Sequence, residues 1–328
     1  MKTTPFTKYH IENGARMAEF AGYNMPIEFS GINEARYPQL RHVVAGFAKG
    51  CGQKNHNSLK GVEAVEDEVE LLAFCDSTHI APRDFIRRLV APVVDGEDFS
   101  TGYHKVVARD TGIVTMAYAL CVQLMRYLQG ISSFTQLWGG AMCFRLSAFR
   151  RYGVREFWMT NVVDDCSLAD RLIRLGARIR LSGDAVLMTE ARDHDLGVWR
   201  HWMDRQILFL KFCIPYQWVL LGVLACLMLL PVLWAVVAVL GVLLGKLSFG
   251  WLVGVLIYVA VLALVLRSWA HFQEAVFPVW RWVVAFCASA CMFVWVYLGT
   301  ILAEGVLWQG IWYEVGRQGR VIRMRRQK

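Results

Sequence analysis

Between Leu71 and His79 the chain reads LLAFCDSTH. Five mostly apolar residues, Leu71 to Cys75, run into Asp76, Ser77 and Thr78, the pattern of a buried strand that delivers a carboxylate to its C-terminal edge. In an open α/β sheet that edge is where ligands sit. A single acid there reads equally well as a loop aspartate, so the flanks decide. Upstream stands Gly52-Gln53-Lys54-Asn55-His56-Asn57. Downstream follow Trp138-Gly139-Gly140-Ala141-Met142, the pair Asp164-Asp165, and Trp202 with Arg205-Gln206 just ahead of a long apolar region.

Each flank has a local reading of its own. Gly50 and Gly52 allow close backbone approach to a ligand, and Lys54 after them either neutralises a diphosphate or sits in a solvated turn. The Trp138-Gly139-Gly140 stretch, within residues 136–143, is a strand-edge turn or a place where backbone approaches a ligand. Asp164 and Asp165 head the segment CSLADRLIRLG, which reads as a helix ended by Gly176. They are either an N-cap pair or, ionised with help from the helix dipole, a general base with a supporting acid.

The surrounding segments complete an α/β pattern. Leu40 to Phe47 reads as a short strand, Ser58 to Val65 as helix, and Glu66 to Glu70 as a solvated acidic face. The run PRDFIRRLVAPVV from Pro82 is a helix with Phe85, Leu89 and Val90 inward and Arg83, Arg87 and Arg88 outward. Ser100 to Val107 and Ala177 to Thr189 read as strands. Residues 113–131 are apolar enough to suggest a span, but Gln123, Arg126 and Gln129 make a buried or interfacial helix the better reading. Asp193-His194-Asp195 reads as a solvated loop.

The chain has 328 residues, 56% of them hydrophobic, and a net charge of +8. Its mean hydropathy of +0.36 is high for a soluble protein. The excess lies after residue 215, in three candidate membrane spans at 218–244, 251–266 and 282–301, the second slightly short of the roughly 20 residues a span needs. Trp199 to Phe212 mixes aromatic, apolar and basic residues in the manner of an interfacial helix. Arg267 to Arg281, with His271 and Glu274, is a polar connection. A basic tail from residue 306 carries Arg317, Arg320, Arg323, Arg325, Arg326 and Lys328. Beside apolar spans such a tail fits an anionic membrane surface better than nucleic acid. Three crossings, however, would put it opposite the soluble domain, against the positive-inside rule. Nine cysteines without a C-x-x-C pair give neither a disulfide framework nor a zinc site.

The order of these motifs resembles the membrane-bound family-2 glycosyltransferases, most closely their ceramide glucosyltransferase-like branch, from about Ala35 to the C-terminus. The resemblance implies an α/β, GT-A-like (Rossmann-like) nucleotide-sugar transferase domain over 35–198, an interfacial helix over 199–215 and an all-α membrane region over 216–305. It implies Asp165 as base with Asp164 beside it, and Lys54, Asp76, Arg205 and Gln206 around the donor diphosphate. Trp138, Gly139, Gly140 and Trp202 would lie near sugar and acceptor, and a divalent metal, Mg²⁺ or Mn²⁺, would sit on Asp76. The expected partners are a UDP-hexose donor, UDP-glucose first, a lipid acceptor such as ceramide and the membrane, with no nucleic acid. The expected place is a multi-pass protein of a bacterial inner membrane with its catalytic domain cytoplasmic. Two departures stand out. Thr78 occupies the place of the family's second acid, and Trp202 with Gln206 replaces the usual residues around Arg205, which weakens the alternative of a processive polysaccharide synthase.

Residues 1–34 differ in kind. They resemble the N-terminus of the glycine-cleavage T-protein, an aminomethyltransferase, so the region Glu34 to Pro38 reads as a junction of two unrelated sequences. The family's first strand-helix-strand unit, which holds uridine, is not found here. A catalytically dead membrane protein with an unpaired sheet edge is therefore the rival expectation.

Overall fold

Leu71–Cys75 is a strand, as its sequence pattern predicts, and the rest of the soluble domain is built outward from it. The computed structural model describes residues 2–3, 7–12, 15–20, 23–29, 41–129, 137–270, 273–274 and 277–326. The junction at Glu34 to Pro38, and Leu40, Gln136, His271 and Lys328, lie outside the described residues.

The N-terminal segment holds β1 (Lys2–Thr3), α1 (Thr7–Glu12), β2 (Ala15–Phe20) and β3 (Tyr23–Phe29). The strands form a sheet of their own in the order β1-β3-β2. The chain then gives α2 (Gln53–Glu63), β4 (Leu71–Cys75), α3 (Phe85–Val94), β5 (Phe99–Ala108) and α4 (Ile113–Gln129). Next come β6 (Ala141–Arg145), α5 (Leu146–Arg151), α6 (Val154–Trp158), α7 (Cys166–Arg174) and β7 (Ile179–Ala191). The central sheet runs β4-β6-β5-β7, with β6 antiparallel to both neighbours and β5 parallel to β7. Among the described residues β4 pairs only with β6. Leu72 is buried while Ala73 and Cys75 are exposed, so this strand is less enclosed than its apolar run suggests.

Residues 41–48, expected to contain a strand, carry no regular structure. Val44 and Phe47 are 82% and 70% exposed. Among the described residues their β-forming side chains have no strand to pair with, and β propensity without a neighbour does not make a strand. The segment is tied down by side chains instead: Gln53 Nε2 donates to Gly46 O at 2.8 Å and Arg41 pairs with Glu68 at 2.6 Å. The acidic run is thus partly engaged, since Glu66 also pairs with Arg155 at 2.9 Å.

α3 buries Phe85, Leu89 and Val93, three positions on one helical face, each contributing about 1.5–3 kcal/mol by leaving water. α4 is a buried helix, with ten of its side chains inside. It packs between β5 and the apolar C-terminal helices, which explains an apolar run that is not a span.

α8 (Leu196–Cys213) is followed by α9 (Pro215–Leu243), α10 (Gly250–Ala270) and α11 (Val279–Thr300), the last three long and apolar enough to cross a membrane. The second is 21 residues long, not the short run its composition suggested. One core runs unbroken from Val106 and Met116 through Trp199, Met203 and Ile207 of α8 to Leu221, Leu266 and Phe293.

The basic C-terminal segment is not a tail. It folds as β8 (Gly305–Trp308), β9 (Ile311–Val315) and β10 (Val321–Arg326), an antiparallel sheet. Gln309 and Gly310 at φ 52° and 70° make a two-residue hairpin turn of the kind that matches strand twist. Ile311, Tyr313 and Val315 point inward onto Val162, Val163 and Cys213. The sheet is pinned to the catalytic domain by Val162 N donating to Gly319 O at 2.9 Å and Val321 N to Thr160 O at 2.8 Å.

Candidate active site

Gly52, at the N-cap of α2, sets the first wall of the site. Its amide donates to Asn161 O at 2.8 Å, and a Cβ there would stand 2.0 Å from Val162 O. Only glycine lets α2 start this close to the loop that precedes α7. Asn55, one turn on and fully buried, locks the same loop with Nδ2 donating to Trp158 O, Asn161 O and Val163 O at 2.9–3.3 Å. That geometry carries Lys54 into the centre of the site.

Lys54 Nζ lies 3.0 Å from Asp76 Oδ1 and 3.1 Å from Asp164 Oδ2, and donates to Gly139 O at 2.9 Å. Four motifs far apart in sequence thus meet at one ammonium. Burial opposes charge on Lys54, but the carboxylates of Asp164, Asp76 and Asp165 outweigh it and hold the group protonated well above the usual lysine range. Asp164 is 3% exposed, and burial pushes its carboxyl up to about 6 against the pull of Lys54.

Asp165 is placed differently. It caps α7, with Oδ1 accepting from Cys166 N at 2.6 Å, while Oδ2 accepts from Gly139 N at 3.0 Å. Two backbone amides fix its carboxylate at the cavity wall. Gly139 is the hinge of this arrangement: a Cβ on it would stand 2.5 Å from Asp164 Oδ2 and 2.8 Å from Lys54 Nζ. Asp76 N donates to Gly140 O at 3.0 Å, so β4 delivers its acid directly against the same turn.

The Trp138 ring lies beside Gly140, where a Cβ would stand 2.3 Å from it, and is held by rings, stacked on His104 at 4.7 Å and tilted against Tyr103 at 5.2 Å and His79 at 5.3 Å between centroids. Burial lowers His104 to about 3, so it serves this stack as a neutral ring. Arg205 projects from α8 into the cavity, with Trp308 of β8 at 5.9 Å. Trp202 sits elsewhere, edge-on to Tyr118 at 5.0 Å and packed on the core. Thr78, in the place of a second acid, lies in the turn after β4.

These groups line a cavity of about 460 Å³. Lys54, Asp76, Trp138, Asp164, Asp165, Arg205 and Gln206 line it together with Met125 and Leu128 of α4, Phe209 of α8 and Leu221 and Leu224 of α9. The polar lining was legible in the sequence. Asn55 was not, although it stands beside Lys54, nor was the apolar wall, which exists only once α4 and α9 are brought together. Among the described residues no three His, Cys, Asp or Glu groups form a metal cage. Asp76 is the carboxylate the resemblance assigns to a divalent cation; its Oδ1 is paired with Lys54 at 3.0 Å, so a cation held there would draw the rest of its shell from water and substrate phosphate.

An α/β domain whose sheet edge presents carboxylates and a lysine to a cavity continued among apolar helices is the layout of a membrane-associated enzyme. Comparison with known proteins gives the class a family. The sequence model of Glycosyl transferase family 21 matches residues 33–321, and the chain belongs to that family. This narrows the resemblance to family-2 enzymes and their ceramide glucosyltransferase-like branch. A second, separate likeness is to aminomethyltransferases. The chain is 78% identical to that of Phocaeicola vulgatus over 69 residues, which is 20% of this chain and 18% of the relative. It is 75% identical to that of Porphyromonas gingivalis over 68 residues, 20% and 19% of the two chains. With that of Bacteroides fragilis it shares 78% identity over 32 residues, 10% and 9%. The chain thus spans less than a fifth of these relatives' length, which fits a fused segment of foreign origin.

Proposed function

We propose that the chain transfers a hexose, glucose from UDP-glucose, to the hydroxyl of a membrane lipid such as ceramide, in one step with inversion at the anomeric carbon. The observation that carries this reading is the mixed lining of the cavity, where charged groups suited to a sugar diphosphate share one space with helix side chains suited to a hydrocarbon chain. The mixed sheet with its single antiparallel strand β6 is in keeping with a GT-A-like domain.

The acceptor hydroxyl lies against Asp165, whose carboxylate is aimed by Gly139 N and Cys166 N. As the hydroxyl oxygen bonds to the anomeric carbon, its proton passes to Asp165 and the bond from that carbon to the diphosphate oxygen breaks. Negative charge then grows on the departing UDP. Lys54 and Arg205 are the chain's own cations for it, acting in a partly desolvated site where such charge stabilisation is strong. A divalent cation held by Asp76 supplies further neutralisation when bound. Trp138, fixed by its ring stack, offers a flat apolar surface to the sugar. Asp164, buried and paired with Lys54, positions that lysine and does not reach the acceptor.

The test is turnover of UDP-glucose with ceramide and with diacylglycerol in detergent or nanodiscs, with product configuration read by NMR. A β-linked glucolipid from the α-linked donor is expected; hydrolysis alone, or glucan without lipid product, overturns the reading. One observation favours a second reading, a fold that binds but does not turn over: the outer edge of β4 has no partner strand among the described residues, next to the strand that delivers Asp76.

A further inference from the structure

The third apolar helix has the length of a span but the wrong neighbours. Its 22 residues would reach about 33 Å, enough for a bilayer core. Yet both of its ends are fastened to the catalytic domain. Ahead of it, Gln273 Nε2 donates to Val106 O at 3.0 Å and Glu274 pairs with Lys105 at 2.8 Å and Arg109 at 3.0 Å, and in its first turn Arg281 donates to Thr111 O at 3.0 Å. At its far end Lys211 Nζ donates to Thr300 O, Ile301 O and Ala303 O at 2.7–2.8 Å. The chain then enters the C-terminal sheet, which is itself bonded to residues 160–162.

The flank of α11 gives the same answer. α8 packs along it, and Arg200, paired with Asp204 at 3.6 Å, lies over the Trp295 ring at 4.6 Å. If α11 crossed, this ion pair would sit within the hydrocarbon, where such charges are expensive. The outer face of α11 is a stripe of Trp280, Val284, Cys291, Trp295 and Leu298, steps of four, seven, four and three along one side, all exposed. One exposed apolar side on a helix whose other side is packed on the domain suits a helix lying at the interface.

α9 and α10 behave otherwise. They pack on α11 and join the core along the halves nearer the domain, α9 through Trp218 stacked on Tyr297 at 4.8 Å, Leu221 and Ala225, and α10 through Leu262 and Leu266. Their far ends stand free, with Leu243, Leu244 and Phe249 72–79% exposed.

We propose that only the α9–α10 hairpin crosses the bilayer, and that α11 lies in the membrane surface with its exposed stripe against lipid. Two crossings leave the C-terminal sheet on the same face as the catalytic domain. The basic segment 317–326 then shares a side with the domain it packs on, which removes the conflict with the positive-inside rule. This inference rests on membrane association and not on the reaction.

Short epitopes placed at exposed Asp67, at Lys246 in the α9–α10 turn and after Lys328 test it in sealed vesicles of one orientation. The epitopes at 67 and at the C-terminus should be protected or exposed together, and that at 246 should behave oppositely. A C-terminus opposite to residue 67, or residue 246 on the same face as both, overturns the proposal. Nitroxides on Trp280→Cys and Trp295→Cys, with Cys75, Cys226, Cys287 and Cys291 replaced by serine, give a second readout. Equal depths are expected, whereas a spanning helix separates them by about 22 Å.

Discussion

The Lys54 ammonium stands 3.1 Å from Asp164 Oδ2, a buried pair whose two members feel burial differently. Lys54 is surrounded by three acids, while Asp164 has one cation and an acidic neighbour, Asp165. Ionising Asp164 therefore costs the folded state something the unfolded chain does not lose. Its carboxyl is raised from about 4 to about 6, so the stability it confers is full below pH 4 and is lost as pH rises through 6. Relative to an Asp164→Asn variant, the wild type should lose up to about 3 kcal/mol between pH 4 and pH 7. Urea unfolding of both proteins in detergent across that range measures it, and a pH-independent difference would sink the assignment.

Asp165→Asn keeps one oxygen acceptor for the α7 cap but removes the base. Turnover should fall about 10²–10⁴-fold with UDP affinity nearly unchanged, since the group acts on the acceptor. A variant with wild-type kcat would take Asp165 out of the reaction.

Asp76→Ala should weaken UDP binding in the presence of Mn²⁺ far more than in its absence. Calorimetry in the two buffers is the comparison, and equal affinities for wild type and variant would remove Asp76 from the donor end.

The parts of this layout that follow from local chemistry were legible in the sequence. The strand Leu71–Cys75, the Asp165 cap and the three apolar helices each depend on residues a few positions apart. What was not legible depended on partners far along the chain. Val43, Val44 and Phe47 looked like a strand because propensity says nothing of whether a neighbouring strand exists. The C-terminal segment looked like a basic tail because its arginines dominate composition, although the Gln309-Gly310 turn and the alternation of Ile311, Tyr313 and Val315 already marked a hairpin. The fastening of α11 rests on pairs such as Lys105 with Glu274, 169 positions apart, which no periodicity announces. Within the site, the four polar motifs were readable, but their convergence on Lys54, and the displacement of Trp202 onto Tyr118, required the fold.

The apolar lining of the cavity makes the last prediction. Gln217, Leu221 and Leu224 follow one face of α9, at steps of four and three, and all three line the cavity. Leu221 is buried against the core, so a larger side chain there would strain the packing. Leu224 is half-buried and can accept a change of size with less disturbance. A Leu224→Trp substitution would narrow the space a hydrocarbon chain must occupy without altering Lys54, Asp76 or Asp165. For a long-chain lipid acceptor KM should rise several-fold, because the lost contact is ordinary binding to the chain and not to the reacting atoms. For a short-chain, water-dispersible analogue KM should scarcely move, and UDP affinity should be that of the wild type. Equal effects on long and short acceptors would mean that the chain does not run between α4 and α9.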